Sequence, residues 1–151
     1  LGVHRIVPLL TKRTVGQFSE EDRARKLSKW RLTAIEAIKQ SGSAWLPRIE
    51  MPLTVEESIA QLKTIDLQLL GSLAEGARHP KIYFEEFAAI NARKPRSISV
   101  AVGPEGDFTP EELEAFQAAG GRPITLGRLV LRTDTAAVYC LSVINYQLSS
   151  P

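Results

Sequence analysis

The sequence predicts an α/β protein with a mostly parallel sheet, on three observations. Strand-type and helix-type patterns alternate over the whole length, the arrangement that builds parallel sheets with helices on their faces. The run 96–103 (RSISVAVG) is short, β-branched and nearly continuous in apolarity, as a central parallel strand would be. Two glycine-bearing turns, 102–112 (VGPEGDFTPEE) and 125–137 (TLGRLVLRTDTAA), each join such a strand to a helix. Ligands of open α/β sheets collect at turns of this kind: glycine lets the backbone approach, and the helix N-terminus offers free N–H groups.

The remaining elements follow in chain order. The chain opens LGVHRIVPLLT, without methionine and with a β-branched run almost at once. A strand with so little leader predicts that the natural protein starts upstream. Ser19 is placed to cap a helix over 19–41, with Leu27, Trp30, Ala34, Ala37, Ile38 and Ser41 on one face and Gly42 as terminator. Residues 45–51, between prolines, read as a short edge strand. Thr54 and Glu57 form a capping box opening a helix to about 63, and 66–73 (DLQLLGSL) is apolar enough for a buried strand. His79-Pro80 leads into a helix over 81–91, with Tyr83, Phe87 and Ile90 on one side. Neither His79 nor His4 has ligand-type neighbours at metal spacing, so each reads as a loop or cap residue and no metal is expected. Thr109, Pro110 and Glu112 supply N-cap, N1 proline and capping-box acid for a helix ending at Gly120-Gly121. Residues 122–126 form the last strand. The helix over 135–148 is apolar nearly all round, so it needs cover on more than one side, and a homodimer through it is expected.

Composition sets bounds on function. A chain of 151 residues fits one domain and buries roughly 70% of its unfolded surface. Its single cysteine, Cys140, lies in an apolar run and reads as a buried, inert thiol, which suits a reducing cytoplasm. No apolar stretch is long enough to span a bilayer, so no membrane partner is expected. Net charge is only +2, but eight bases stand against four acids between Lys12 and Lys39, whereas 104–118 carries acids alone. A basic region on a near-neutral protein either follows a phosphate backbone or is a solvated helix face. Dinucleotide, P-loop, nucleophile-elbow and zinc signatures are all missing, which disfavours a Rossmann dehydrogenase, a P-loop NTPase and a serine hydrolase.

Taken in order, LGVHRIVPLLTKR, IEAIKQSG with a downstream WLPRI, VGPEGDFTPEE and LGRLVLRTDTAA resemble the RsmE family of ribosomal RNA methyltransferases, within the SPOUT superfamily. The resemblance runs from residue 1 to about 148, so the whole chain reads as one SPOUT-type methyltransferase domain. It implies a C-terminal deep trefoil knot, which no periodicity or spacing could reveal. It implies S-adenosylmethionine as cofactor, methyl transfer to N3 of a uracil, and small-subunit (16S) ribosomal RNA as partner. The cofactor-binding positions it implies are Ser72 and Leu73, then Val102, Gly103 and Gly106, then Leu126, Gly127, Val130, Leu131 and Arg132. Catalytic candidates are Arg132 and Glu105. Arg132 would stabilise charge developing on the base, or else pair with Asp134 or a phosphate. Glu105 would accept the imide proton, or else hydrogen-bond within its turn.

Three places depart from the common family pattern. Asp107 stands where a second glycine usually follows GPEG, Arg128-Leu129 stand where a proline-arginine pair usually follows Leu-Gly, and Lys12 replaces an acid. Family members also carry an N-terminal PUA-like RNA-binding β-barrel, to which nothing in this sequence corresponds. Asp107 would add bulk and charge near the cofactor, whereas Arg128-Leu129 bear on acceptor binding more than on cofactor binding, and together they define the alternative of a non-catalytic RNA- or ligand-binding module. A carboxylate at Asp107 that blocks the pocket would favour that alternative.

Overall fold

The computed structural model describes residues 1–14, 19–74 and 76–149. Its strands are β1 (Arg5–Ile6), β2 (Leu9–Leu10), β3 (Arg48–Ile49), β4 (Leu53–Thr54), β5 (Leu67–Gly71), β6 (Ile98–Ala101) and β7 (Arg122–Ile124). Its helices are α1 (Glu20–Ser41), α2 (Val55–Ala60), α3 (Pro80–Asn91), α4 (Pro110–Ala118) and α5 (Thr133–Ser149). Every strand pair among the described residues is parallel: β1 with β3, β2 with β4, and β5 with both β6 and β7. The expected α/β class with parallel sheets is therefore observed.

The three-stranded sheet has the order β6-β5-β7, so its centre is β5 and not 96–103. Side-chain alternation along β5 explains why. Leu67 and Leu69 enter one core with Tyr83, Phe84, Ile124, Cys140 and Ile144, which come from α3, β7 and α5. Leu70 enters a second core with Val55, Phe108 and Phe116, from α2, the turn before α4, and α4. Helices thus cover both faces of β5, and its LQLLG run is apolar because both faces are dry. The four residues of β6 are only half-buried, as an edge position permits.

Local chemistry sets the helix ends as expected. The Ser19 hydroxyl accepts from the Asp22 N–H, and Gly42, at φ 68°, closes α1 by donating to the Ile38 carbonyl. Both predicted capping boxes form, at Thr54/Glu57 and Thr109/Glu112. His79 is the N-cap of α3, its Nδ1 accepting from the Lys81 N–H at 3.2 Å. Differences lie where packing decides. The 45–51 strand shrinks to β3, and β4, unforeseen, forms between Pro52 and the Thr54 cap. Ile90 faces solvent, because α3 buries Pro80, Tyr83 and Phe84 instead. No residue of α1 is fully buried; on its expected face Leu27, Trp30, Ala34 and Ile38 are half-buried and Ala37 and Ser41 are exposed.

The last helix buries only one stripe, Ala136, Cys140 and Ile144, at the i, i+4, i+8 spacing of a single face. Val138, Tyr139, Tyr146 and Leu148 are exposed on the others. Burial pushes the Cys140 thiol up to about 11, which keeps it protonated and unreactive. At the opposite edge, Arg93 grips Asp66 with two bonds of 2.8 and 3.1 Å, and the Arg96 N–H adds a third at 2.7 Å. This ties the start of β5 to the turn before β6. The Arg93 bonds, then the Arg96 N–H, hold the Asp66 carboxyl well below the usual carboxylate range.

Candidate functional site

Because β5, β6 and β7 are parallel neighbours, their carboxyl ends lie at one edge, and the loops that leave them enclose a cleft of about 500 Å³. The loop after β5 is folded back onto β7: Ser72 N–H donates to the Ile124 carbonyl (3.2 Å) and Arg78 N–H to the Pro123 carbonyl (3.1 Å). The Ser72 hydroxyl accepts from the Ala74 N–H at 3.1 Å, fixing the bend.

The loop after β6 is the GPEGDF turn. Asp107 N–H donates to the Pro104 carbonyl at 2.8 Å, and Asp107 itself sits at φ 60°. Aspartate tolerates this left-handed conformation better than most non-glycine residues. Its carboxylate accepts from the Phe108 N–H at 2.8 Å and from the Leu73 N–H at 3.3 Å. One side chain therefore joins the first loop to the second. Gly103 is required beneath it, since an added Cβ would stand 2.8 Å from Asp107 Oδ1 and 3.0 Å from the Phe108 nitrogen.

The third loop enters through Gly127, at φ 114°, where a Cβ would meet nothing within 4 Å. Glycine here serves backbone conformation, not close packing. Thr125 Oγ1 fixes this bend by accepting from the Gly127 N–H (3.3 Å) and donating to its carbonyl (3.2 Å). Thr133, the first residue of α5, donates from its hydroxyl to the Gly103 carbonyl at 3.1 Å, joining the third loop to the second.

A fourth segment braces the turn from outside. Arg13 donates to the carbonyls of Gly106 and Phe108, and the buried Glu112 carboxylate accepts from the Lys12 N–H at 2.8 Å and the Thr109 N–H at 2.9 Å. The residues 11–14 that follow β2 are thereby fixed against the GPEGDF turn.

Of the residues expected at a site, Ser72, Leu73, Val102, Gly103, Glu105, Leu126, Gly127, Val130 and Leu131 all line the cleft. Gly106 and Arg132 do not. Gly106 turns outward against Arg13, whose Cδ would lie 3.3 Å from an added Cβ. Arg132 is exposed between two lining residues, and the pairing with Asp134 is not formed. Asp134 instead accepts from the Thr135 N–H (2.7 Å) and hydroxyl (3.3 Å) at the start of α5. Among the described residues, neither Arg132 nor Glu105 has a side-chain partner, so Glu105 does not stabilise its turn; the Pro104 carbonyl and the Asp107 carboxylate do.

Sequence reasoning missed the contributions of Ala74, Gly76, Arg128, Leu129 and Thr133 to the lining. Arg128 and Leu129 had registered only as departures from a pattern. Thr133 could have been found as the first polar residue of α5 facing back toward Gly103.

Chemically, the cleft combines apolar walls with polar groups at a sheet edge. Leu73, Leu129 and Val130, all lining it, are 64%, 78% and 74% exposed, apolar surface that a ligand or partner would cover. Among the described residues no cluster of His, Cys, Asp or Glu could hold a metal ion. No described helix is long and apolar enough to cross a membrane.

A parallel sheet doubly covered by helices, with a ligand cleft where three loops leave its carboxyl edge, defines an α/β ligand-binding domain of the enzyme type. Comparison gives the family: the chain belongs to the RNA methyltransferase domain family, whose model matches residues 1–145, and the RsmE kinship read from its motifs holds. The ribosomal RNA small subunit methyltransferase E of Synechocystis sp. is 35% identical over 99% of this chain and 47% of its own length. That of Bacillus subtilis is 30% identical over 97% of this chain and 57% of its own. The chain thus spans about half the length of these curated relatives. A methyltransferase from Legionella pneumophila, solved with the cofactor SAM bound, superposes with a TM-score of 0.85 at 30% identity, covering 96% of this chain and 56% of that one. The Neisseria gonorrhoeae methyltransferase E bound to S-adenosylmethionine gives 0.81 at 25% identity, covering 96% and 55%.

Proposed function

We propose that this chain is the methyltransferase domain of an RsmE-type enzyme, binding S-adenosylmethionine in the three-loop cleft and methylating N3 of a uracil in small-subunit ribosomal RNA in the cytoplasm. The observation that carries this reading is the convergence of residues 72–74 and 76–77 with the 102–107 and 125–131 loops on one apolar-walled cleft. The residues fit the group. Val102, Leu126, Val130 and Leu131 offer apolar walls to an adenosine moiety, and Gly103 and Gly127 let backbone line the cleft. When bound, S-adenosylmethionine supplies an activated methyl group on a sulfonium. The protein's share of the work is to orient the base and manage its proton and charge. Glu105, unpaired at the cleft wall, takes the imide proton. Arg132, exposed beside the cleft, faces the developing charge or a phosphate of the acceptor.

The finer architecture belongs to the same reading. Threading of the C-terminal segment as a trefoil knot is in keeping with the Thr133–Gly103 bond, which holds the start of α5 against the loop after β6. A homodimer is supported by the apolar residues that α5 leaves exposed, Val138, Tyr139, Tyr146 and Leu148. The non-catalytic alternative, defined by Asp107 and Arg128-Leu129, would be favoured by an Asp107 that obstructs the pocket, but that carboxylate is engaged with the Leu73 and Phe108 N–H groups along the wall.

Thermal unfolding with and without S-adenosylmethionine, with ATP and NAD as controls, tests the cofactor. At a hundredfold excess over Kd the midpoint should rise by about 5–10 °C, from roughly 2.7 kcal/mol of linkage. No selective rise in a folded protein would overturn the reading. Arg132→Ala should lower turnover on RNA without lowering cofactor affinity.

A further inference from the structure

We propose that the groove between α1 and the GPEG turn is the acceptor-base pocket, in which an unstacked uracil lies against the indole of Trp30 with its edge at Glu105. This inference rests on the methyltransferase reading above and adds where the acceptor enters.

The groove has a volume of about 350 Å³, within the range of small-ligand sites, and its walls include Leu9, Arg13, Lys26, Trp30, Pro104 and Glu105. It shares Pro104 and Glu105 with the methyl-donor cleft and no other residue, so the two hollows meet at that one wall. A reaction between a bound cofactor and a bound base needs such a junction, and Glu105 has no partner of its own among the described residues that would occupy its carboxylate there.

The remaining walls have the chemistry of single-stranded RNA sites. Trp30 supplies a flat, half-buried ring, the type of surface on which unpaired bases stack. The Lys26 ammonium stands over that ring, 6.0 Å from its centroid, and the exposed Lys29 and Arg31 continue the positive charge along α1. The base plane would thus be set by Trp30 and the phosphates would follow the helix. The floor is rigid: Arg13 is fixed to the Gly106 and Phe108 carbonyls, and the adjoining Lys12 backbone to Glu112. The half-buried face of α1 is accounted for as a binding wall.

The junction of the two hollows positions the methyl transfer. The N3–H proton passes to Glu105, the N3 lone pair forms the N–CH₃ bond, and the departing electron pair stays on sulfur, leaving S-adenosylhomocysteine.

The test uses the full chain and two RNAs: a short strand of abasic ribose-phosphates bearing one uracil, and the same strand wholly abasic. Affinities are measured with S-adenosylhomocysteine present. Trp30→Leu, which keeps apolar bulk but removes the ring, should bind the uracil strand roughly 5- to 150-fold more weakly, the loss of one base stack. It should bind the abasic strand as the wild type does, and Trp30→Phe should restore most of the loss. Cofactor affinity should be unchanged in both variants, so that wild-type failure to bind cofactor would sink the enzyme reading, not this one. Equal weakening on both strands, or none on either, would overturn the pocket assignment. So would a failure of Trp30→Phe to restore affinity while the variant remains folded.

Discussion

The Gly103–Asp107 contact yields a quantitative prediction. In Gly103→Ala the new Cβ would lie 2.8 Å from Asp107 Oδ1, 3.0 Å from the Phe108 nitrogen and 3.1 Å from the Asp107 Cα. Non-bonded heavy atoms prefer about 3.5–4.0 Å, so two backbone atoms and one carboxylate oxygen must give way. Overpacking of this order costs about 1–3 kcal/mol. Asp107→Gly removes the acceptor for the Leu73 and Phe108 N–H groups but relieves a left-handed residue, so a net loss of about 1 kcal/mol is expected. At roughly 2–4 °C per kcal/mol, the first variant should melt about 2–12 °C below wild type and the second about 2–4 °C below. The double variant tests the mechanism. Without the carboxylate one of the three clashes disappears, and the Leu73 tie cannot be lost twice. Its destabilisation should therefore fall short of the sum by about 1 kcal/mol. Thermal melts of the four proteins, each with and without S-adenosylmethionine, measure both stability and cofactor affinity. Strict additivity, or full cofactor affinity in Gly103→Ala, would refute the view that this pair shapes the cleft.

Other expectations follow from single sites. Gly127→Val places a β-branched residue at φ 114°, where a side chain is strained even with no neighbour within 4 Å, so the third loop should rearrange and cofactor binding be abolished; undiminished affinity by calorimetry would remove the third loop from the site. Asp66 has a depressed folded pKa, so its contribution is present above the ordinary carboxylate value of about 4 and is lost as pH falls through the folded value. Asp66→Asn should accordingly be less stable than wild type at pH 7, with a gap that narrows as acid is added; melts showing a gap independent of pH would contradict the Arg93 pairing. Cys140, buried and raised to about 11, should react with a maleimide only as fast as the protein unfolds. Prompt labelling of the native protein would show that this face of α5 is not packed against β5 and α3.

The local devices were legible in the sequence because they depend on neighbours a few residues apart. Ser19, Thr54/Glu57, Thr109-Pro110-Glu112 and Gly42 specify helix ends through hydrogen bonds within one turn, and each acts as read. The two glycine turns were also identifiable, because a strand-to-helix junction and a glycine are both visible in one stretch. Tertiary structure alone decided which strand is central. RSISVAVG and LQLLG are both apolar, and only the placing of α3 and α5 on one face and α2 and α4 on the other shows that β5 is dry on both. It alone also decided that Arg132 is exposed beside the cleft while Arg128 lines it, since a loop's placement follows from its anchors, Thr125 and Thr133, and not from its composition. The use of Asp107 was hidden for the same reason: in sequence it is a carboxylate in a turn, and only the parallel pairing of β5 with β6 brings the Leu73 N–H, 34 residues away, to within 3.3 Å of it. Sequence determined the parts that short-range hydrogen bonding and periodicity can fix. The site, assembled from loops distant in the chain, was decided by strand order.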